Sequence, residues 1–233
     1  MLITGASRGL GAALARHFSA AGARLALVAR SREPLEHVVR AIQRQGGEAH
    51  AFAYDIADKH AIYPLAASVA ELVGPPVLMI HNASELGRVP LRLLLDTECE
   101  DFERVLATNV LGPFRLTKVI AGAMALRRRG TIVHVSSDAS VNAYPRWGAY
   151  GVSKAAFDHL ARSLAVELVE HGVRVFSIDP GEMDTDMHRA AVPDADPSLL
   201  AQPHAVAAVI ARMIESDVAP GARLEARTWR ESA

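Results

Sequence analysis

Apolar residues in this chain gather in short runs, separated by stretches in which they recur every three or four positions. The runs MLIT (1–4), RLALVA (24–29), EAHAFAYD (48–55), VLMIHNA (77–83), GTIVHVSS (130–137) and VRVFSID (173–179) predict six strands. The stretches between them predict helices over 12–21, 34–45, 59–72 and about 150–170, with Gly22, Gly46 and Gly172 where helix C-termini are expected. A Thr97/Glu100 capping box in TECE predicts a further, long helix. Strand, helix and strand repeated in this order predict an α/β fold, a doubly wound parallel sheet with helices on both faces and right-handed crossovers. One stretch escapes the pattern. PGEMDTDMHRAAVPDADPSLLAQP (180–203) is rich in Pro and Asp and too long for an ordinary connection. It is read as a substrate lid over about 181–203, with Met183 to Asp196 expected to be mobile without ligand.

Composition narrows this picture. With 233 residues, half of them hydrophobic, the chain can bury one substantial core, so a single domain over 1–233 is expected. A formal net charge of -1 with interspersed signs gives no reason to expect nucleic acid or a membrane surface as partner. The basic run Arg127 to Arg129 is read as the end of a helix, where cations meet the dipole. Cys99 has no second cysteine to pair with and suits a reducing compartment, so a soluble cytoplasmic protein is expected. No apolar run is long enough to span a bilayer, no secretory leader pattern opens the chain, and no metal site is expected.

Chemistry enters with TGASRGLG, where the first strand turns into the first helix. Gly5 permits the turn, Gly9 allows phosphate to approach the backbone, and Gly11 lets helix pack on strand, with Ser7, Arg8 and Leu10 between them. The spacing G-x-x-x-G-x-G differs from the familiar G-x-G-x-x-G, and alone it is a weak signal. Downstream, AYGVSK sets Tyr150 and Lys154 on one helix face, Ser137 ends an apolar strand, and Asn109 lies in ATNVLG.

These positions, together with HNAS (81–84) and PGEMDT (180–185), resemble the short-chain dehydrogenase/reductase family over nearly the whole chain. The resemblance implies a single-domain Rossmann-type fold and an enzyme acting on CH–OH or carbonyl groups with NAD(P). It also implies a catalytic tetrad of Asn109, Ser137, Tyr150 and Lys154. A free tyrosine has a pKa near ~10, so acid/base work at neutral pH is expected to need it lowered by about 2 to 3 units, by Lys154 and by an oxidised nicotinamide. Tyr150 is then the proton donor to a carbonyl oxygen and Ser137 its hydrogen-bonding partner. By resemblance Lys154 also holds the nicotinamide ribose, and Asn109 keeps a water in a proton relay. Asp55 and Ile56 correspond to the adenine contact, and Asn82, Ala83, Ser84, Pro180, Gly181, Met183 and Thr185 to further cofactor contacts.

The choice of cofactor turns on a missing acid. An NAD site usually carries an acid at the end of the second strand, and here that stretch reads LVARSR. Arg8 and Arg30 are expected to converge on a 2'-phosphate, favouring NADP(H), with NAD(H) possible and solvated surface arginines as the alternative. Asp138, Asn142, Tyr144, Trp147 and Met187 are candidate substrate contacts, and each reads equally as a packing or surface residue.

The chain also departs from the family. His81 and Ser84 stand where Asn and Gly are usual, His81 reading as a satisfied strand histidine and Ser84 as a side chain added beside the nicotinamide. RLEARTWRESA (223–233) replaces a terminal strand followed by Asp-Gly-Gly, so a homodimer through the two long helices is expected and a tetramer stays open. The expected activity is carbonyl/alcohol interconversion on a small molecule. The alternative is a nucleotide-binding sensor or scaffold of the same fold without turnover.

Overall fold

The structure is a computed structural model that describes residues 1–229. Seven parallel strands form one sheet in the order β3-β2-β1-β4-β5-β6-β7. These are β1 (Leu2–Thr4), β2 (Leu25–Ala29), β3 (Ala49–Ala53), β4 (Leu78–His81), β5 (Gly130–Val135), β6 (Val173–Asp179) and β7 (Arg223–Glu225). Helices α1 (Gly9–Ala20), α2 (Arg32–Arg44), α3 (Ile62–Leu72), α4 (Cys99–Leu106), α5 (Gly112–Leu126), α6 (Gly148–Leu168), α7 (Asp186–Ala191) and α8 (Pro203–Glu215) connect and cover them.

The unbroken apolar runs have a simple cause: the sheet is covered twice. Leu25, Leu27 and Ala29 of β2 face the layer that holds Leu14, Phe18, Val38, Ile42, Ile210 and Ile214. Ala26 and Val28 face the opposite layer with Ile62, Val69, Leu116, Ile120, Ala161 and Ala165. All of β2 is buried as a result. Leu2 of β1 pairs with Ala26 on one side and Met79 of β4 on the other, so the chain reverses its direction of growth between β1 and β4. That reversal opens a crevice at the carboxyl ends of the strands, where a doubly wound sheet holds its ligand.

Several expectations need correction. The terminal strand exists: β7 pairs in parallel with β6, Ser177 beside Arg223. Its sequence, RLE, lacks the apolar run that announces a strand, and residues 230–233 of that segment lie outside the described residues. The Thr97/Glu100 capping box does not form, because Thr97 Oγ1 donates to the Leu93 carbonyl at 2.9 Å and Glu98 takes the N-cap position of α4. The long helix is interrupted by a π turn, Ala107–Leu111, between α4 and α5. α3 begins at Ile62, later than expected, after Asp58 folds its carboxylate onto the amide of His60 at 2.8 Å.

Gly22, Gly46 and Gly172 close their helices in the left-handed region, at φ +82°, +82° and +70°. The lid stretch carries structure of its own, with α7, a 3-10 turn at Pro197–Leu199, and the Asp184 amide bonded to the Ala201 carbonyl at 3.0 Å. No helix among the described residues is long and apolar enough to cross a membrane.

Candidate active site

The crevice is a cavity of about 550 Å³ that runs from the glycine turn to the end of β6 and the segment after it. At one end α1 starts directly on Gly9, with no acidic residue in its first turn and no side chain capping it. Its first amides therefore keep their hydrogen-bonding capacity and the positive end of the helix dipole faces the cavity. Gly5 sits at φ +67°, and a Cβ there would lie 2.7 Å from the Ala83 Cα. Gly9 lines the cavity at φ +53°, and a Cβ on it would lie in van der Waals contact with Thr185 at 3.4 Å. Gly11 does not line the cavity; any Cβ on it would run into the Gly5 carbonyl, so it serves helix-on-strand packing. Thr4 and Asn82 lock the turn from below: Thr4 Oγ1 accepts the amides of Asn82 and Ala83, both at 3.1 Å, and Asn82 Nδ2 donates to the carbonyls of Thr4 and Gly5. This cradle fits the diphosphate of a dinucleotide.

Ser7, Arg8, Leu10, Arg30, Asp55, Ile56, Asn82, Ala83 and Ser84 also line the cavity. Arg8 and Arg30 both border it but do not converge. Each exposed side chain reaches the carboxylate nearest to it, Arg8 toward Asp186 at 3.9 Å and Arg30 toward Glu85 at 3.6 Å. β2 ends at Ala29, with Arg30 and no acid after it.

At the far end, Tyr150 and Lys154 lie one turn apart on α6, both buried. Lys154 Nζ donates to the Val135 carbonyl at 2.7 Å and sits 5.5 Å from the Tyr150 ring centroid. Ser137 Oγ donates to Asp138 Oδ1 at 3.1 Å and accepts the Ala139 amide at 3.2 Å. Its hydroxyl and that of Ser84, which donates to Asn109 Oδ1 at 3.3 Å, both approach the Tyr150 phenol. Asn109, in the π turn, stands behind the cavity and does not line it. Its Oδ1 accepts the Glu85 amide at 2.8 Å, and its Nδ2 donates to the Glu85 carbonyl and to Ser153 Oγ. Pro180, Gly181, Met183, Thr185 and Met187 line the lid side.

Burial dominates the electrostatics here. It pushes the Tyr150 phenol up to about 12, against the opposing hydrogen bonds from Ser137 and Ser84. The expected lowering by Lys154 is not found in the protein alone. Burial likewise pulls the Lys154 ammonium down to about 8, with the Asp158 and Asp179 carboxylates resisting. Tyr144 donates its hydroxyl to Asp138 Oδ2 at 2.8 Å, and this bond raises it above the ordinary phenol range. Asp138, Tyr144 and Trp147 line the cavity, whereas Asn142 lies outside it. His81 is half satisfied: Nε2 meets Thr117 Oγ1 at 2.8 Å, Nδ1 has no partner, and its ring meets His134 edge-on.

Sequence reasoning missed Asp158, Asp179 and Arg223, which form a buried charge cluster beside Lys154. Two signals pointed that way. Asp158 falls on the Tyr150 and Lys154 stripe of α6, four residues on, and Asp179 closes an apolar strand at its carboxyl end.

Comparison with known proteins agrees with this geometry. A family profile described as short chain dehydrogenase matches residues 1–196. A fatty acyl-CoA reductase of Acinetobacter baylyi is 38% identical over 177 residues, which cover 76% of this chain and 60% of that protein. The chain thus spans less than two thirds of that relative's length. Among solved structures, an NAD+-bound xylitol dehydrogenase superposes with a TM-score of 0.85 at 26% identity. A metagenomic short-chain oxidoreductase in complex with NADP gives 0.82 at 30% identity. Both alignments cover 96% of this chain and 95% of the other. With the profile spanning most of the chain, the glycine turn at one end of the crevice and the Ser137, Tyr150 and Lys154 cluster at the other, the chain belongs to the short chain dehydrogenase family.

Proposed function

We propose that this protein is an NADPH-preferring oxidoreductase that interconverts a small-molecule carbonyl and its alcohol, with Tyr150 as the proton donor. The observation that carries this reading is a single cavity that joins the phosphate cradle at Gly5 and Gly9 to the buried Tyr150–Lys154 pair and the Ser137 hydroxyl. A bound nicotinamide dinucleotide supplies the hydride. The protein supplies the rest. Gly5, Gly9 and the start of α1 hold the diphosphate, and Asp55, Ile56, Asn82 and Ala83 flank the adenosine side. Lys154, Pro180 and Gly181 flank the nicotinamide riboside.

Ser137 Oγ turns from Asp138 to donate to the substrate carbonyl oxygen, where negative charge grows in the transition state. Tyr150 Oη gives its proton to that same oxygen. Burial keeps the phenol protonated in the protein alone, so the proton is in place before the carbonyl is reduced. Lys154 is charged at neutral pH and loses its proton near 8, so turnover falls as pH rises through that value. Preference for NADPH rests on Arg30 following β2 in place of an acid, with Arg8 also lining the cavity.

Leu111 and Phe114 near the start of α5, and Val152 and Val166 on α6, are exposed, which supports a homodimer through these helices. The test of function is NADPH consumption by the purified protein against a panel of ketones and aldehydes. Turnover with at least one carbonyl class, faster with NADPH than NADH, is expected. No turnover with any of them, despite tight NADPH binding, would favour the sensor reading.

A further inference from the structure

The segment that departs from the family pattern at the C-terminal end carries a side chain that reaches the catalytic loops. Arg223 of β7 is largely buried, 15% of its side chain being accessible. Its Nη2 donates to the backbone carbonyl of Ser137 at 3.0 Å and to Asp179 Oδ2 at 2.8 Å. Its Nε lies 3.3 Å from both Ser140 Oγ and Asp158 Oδ2, and Nη1 donates to Glu225 Oε1 at 2.9 Å. The two buried carboxylates extend this reach. Asp158 Oδ2 accepts the hydroxyls of Ser136 and Ser140 at 2.7 and 2.6 Å. Asp179 Oδ1 accepts the Gly181 amide at 2.9 Å. One guanidinium thus ties the turn that presents Ser137 to the turn at Pro180–Gly181, from a strand that touches neither substrate nor cofactor positions.

We propose that Arg223 is a positioning residue for the carbonyl chemistry: its planar fork sets the Ser137 turn against the Pro180–Gly181 turn and occupies the two carboxylates nearest Lys154. The proposal rests on the function assigned above. Geometry and charge each support it. A guanidinium directs several donors in one plane and can hold a carbonyl and a carboxylate at once, which an ammonium on a flexible stem does not reproduce. The charged or titratable groups facing the cluster are Tyr150, Lys154 and Asp158 from α6, His134 from β5 and Asp138 from the turn after it. Asp179 of β6, with Arg223 and Glu225 of β7, completes the set. His134 is held neutral by burial, so Arg223 is the cation that offsets Asp158 and Asp179 besides Lys154 itself. Removing it leaves both carboxylates to act on the ammonium, which then keeps its proton to higher pH.

The test exploits the scarcity of lysine. Lys59, Lys118 and Lys154 are the chain's only lysines, so protein carrying 13C at the lysine ε-carbons reports the Lys154 titration directly, assigned with Lys154→Met. In Arg223→Gln, kcat should fall by about tenfold or more while the KM for NADPH stays within about threefold. The Lys154 midpoint should move up by about half a unit or more, with the alkaline limb of the kcat profile moving alongside it. Arg223→Lys should restore the midpoint but recover kcat only in part, and Glu225→Gln should stay within about twofold of the unmutated protein. A folded Arg223→Gln with kcat within twofold and an unmoved midpoint would overturn the proposal, whatever its melting temperature. Should Arg223→Gln not fold, full kcat in Arg223→Lys would overturn it equally. If the unmutated protein reduces no carbonyl, the assigned function falls and the Lys154 midpoint alone decides the role of Arg223: a shift supports it and an unmoved midpoint refutes it.

Discussion

The two ends of the cavity solve opposite physical problems. The glycine end is built from backbone: Gly5 at φ +67°, the bare start of α1 on Gly9, and a turn pinned through the side chains of Thr4 and Asn82. Its charged side chains, Arg8 and Arg30, are solvent-exposed. The Tyr150 end is built from buried side chains, with Lys154 pulled down by desolvation beside a tyrosine pushed up to about 12. The backbone cradle suits a ligand that brings its own charge, because fixed dipoles cost nothing to reorganise when it arrives. Buried ionisable groups suit proton transfer, because desolvation brings a lysine to about 8, close to neutral pH.

That contrast can be broken most sharply at Tyr150. Replacement by Phe keeps the ring that packs against Trp147 but removes the proton, so turnover should fall by about 100-fold to 10,000-fold while NADPH affinity changes by a few fold. Stopped-flow rates beside a binding titration would check both halves, and near-normal turnover would remove Tyr150 as the acid.

The next effect is on stability. Unfolded Lys154 holds its proton to the ordinary value of 10.5 and folded Lys154 only to about 8. Between those values the unfolded chain binds more protons, so folding stability should rise with pH across that window, by on the order of 3 kcal/mol. Urea unfolding at a series of pH values should show this rise in the unmutated protein and a flatter curve in Lys154→Met. Equal slopes would mean that the ammonium is not desolvated.

At the glycine end, Gly5→Ala forces a Cβ into the left-handed region and against the Ala83 Cα. The expected cost is about 1 to 3 kcal/mol in the turn, seen as a lower melting temperature and weaker NADPH binding. An unchanged NADPH affinity would separate the turn from cofactor binding.

The effect that water and salt weaken most is expected at the exposed arginines. Water discounts each contact, so a combined preference for NADPH over NADH of about 10-fold to 1000-fold is expected. Arg30→Ala should lose much of it by weakening NADPH alone, and the effect should shrink as salt rises. Equal affinity for the two cofactors in the unmutated protein, titrated at low salt, would make both arginines surface residues and leave the Tyr150 end untouched.

The same contrast explains what could be read from sequence. Glycines at 5 and 9 were legible because few other residues tolerate such a turn, Gly11 because a helix start packed this close to a strand has no room for a side chain, and Tyr150 and Lys154 because a single helix face sets their spacing. The sheet was legible wherever burial on both faces left an apolar run. β7 was not, since RLE is held by pairing with β6 and by Arg223 and carries no apolar run. The charge cluster was hidden because Asp158, Asp179 and Arg223 come from separate elements and meet only once the sheet is assembled. The direction of the Tyr150 shift was missed for a related reason: spacing shows which groups are neighbours, whereas the amount of water they lose depends on packing.

The most direct test of hydride transfer across this cavity uses NADPH deuterated at the transferable position of the nicotinamide, incubated with the protein and a reducible ketone. An alcohol carrying deuterium on the former carbonyl carbon is expected, formed by the unmutated protein and nearly absent with Tyr150→Phe. Tight NADPH binding with no deuterium in any product across the carbonyl panel would contradict it, leaving a nucleotide-binding protein without this chemistry.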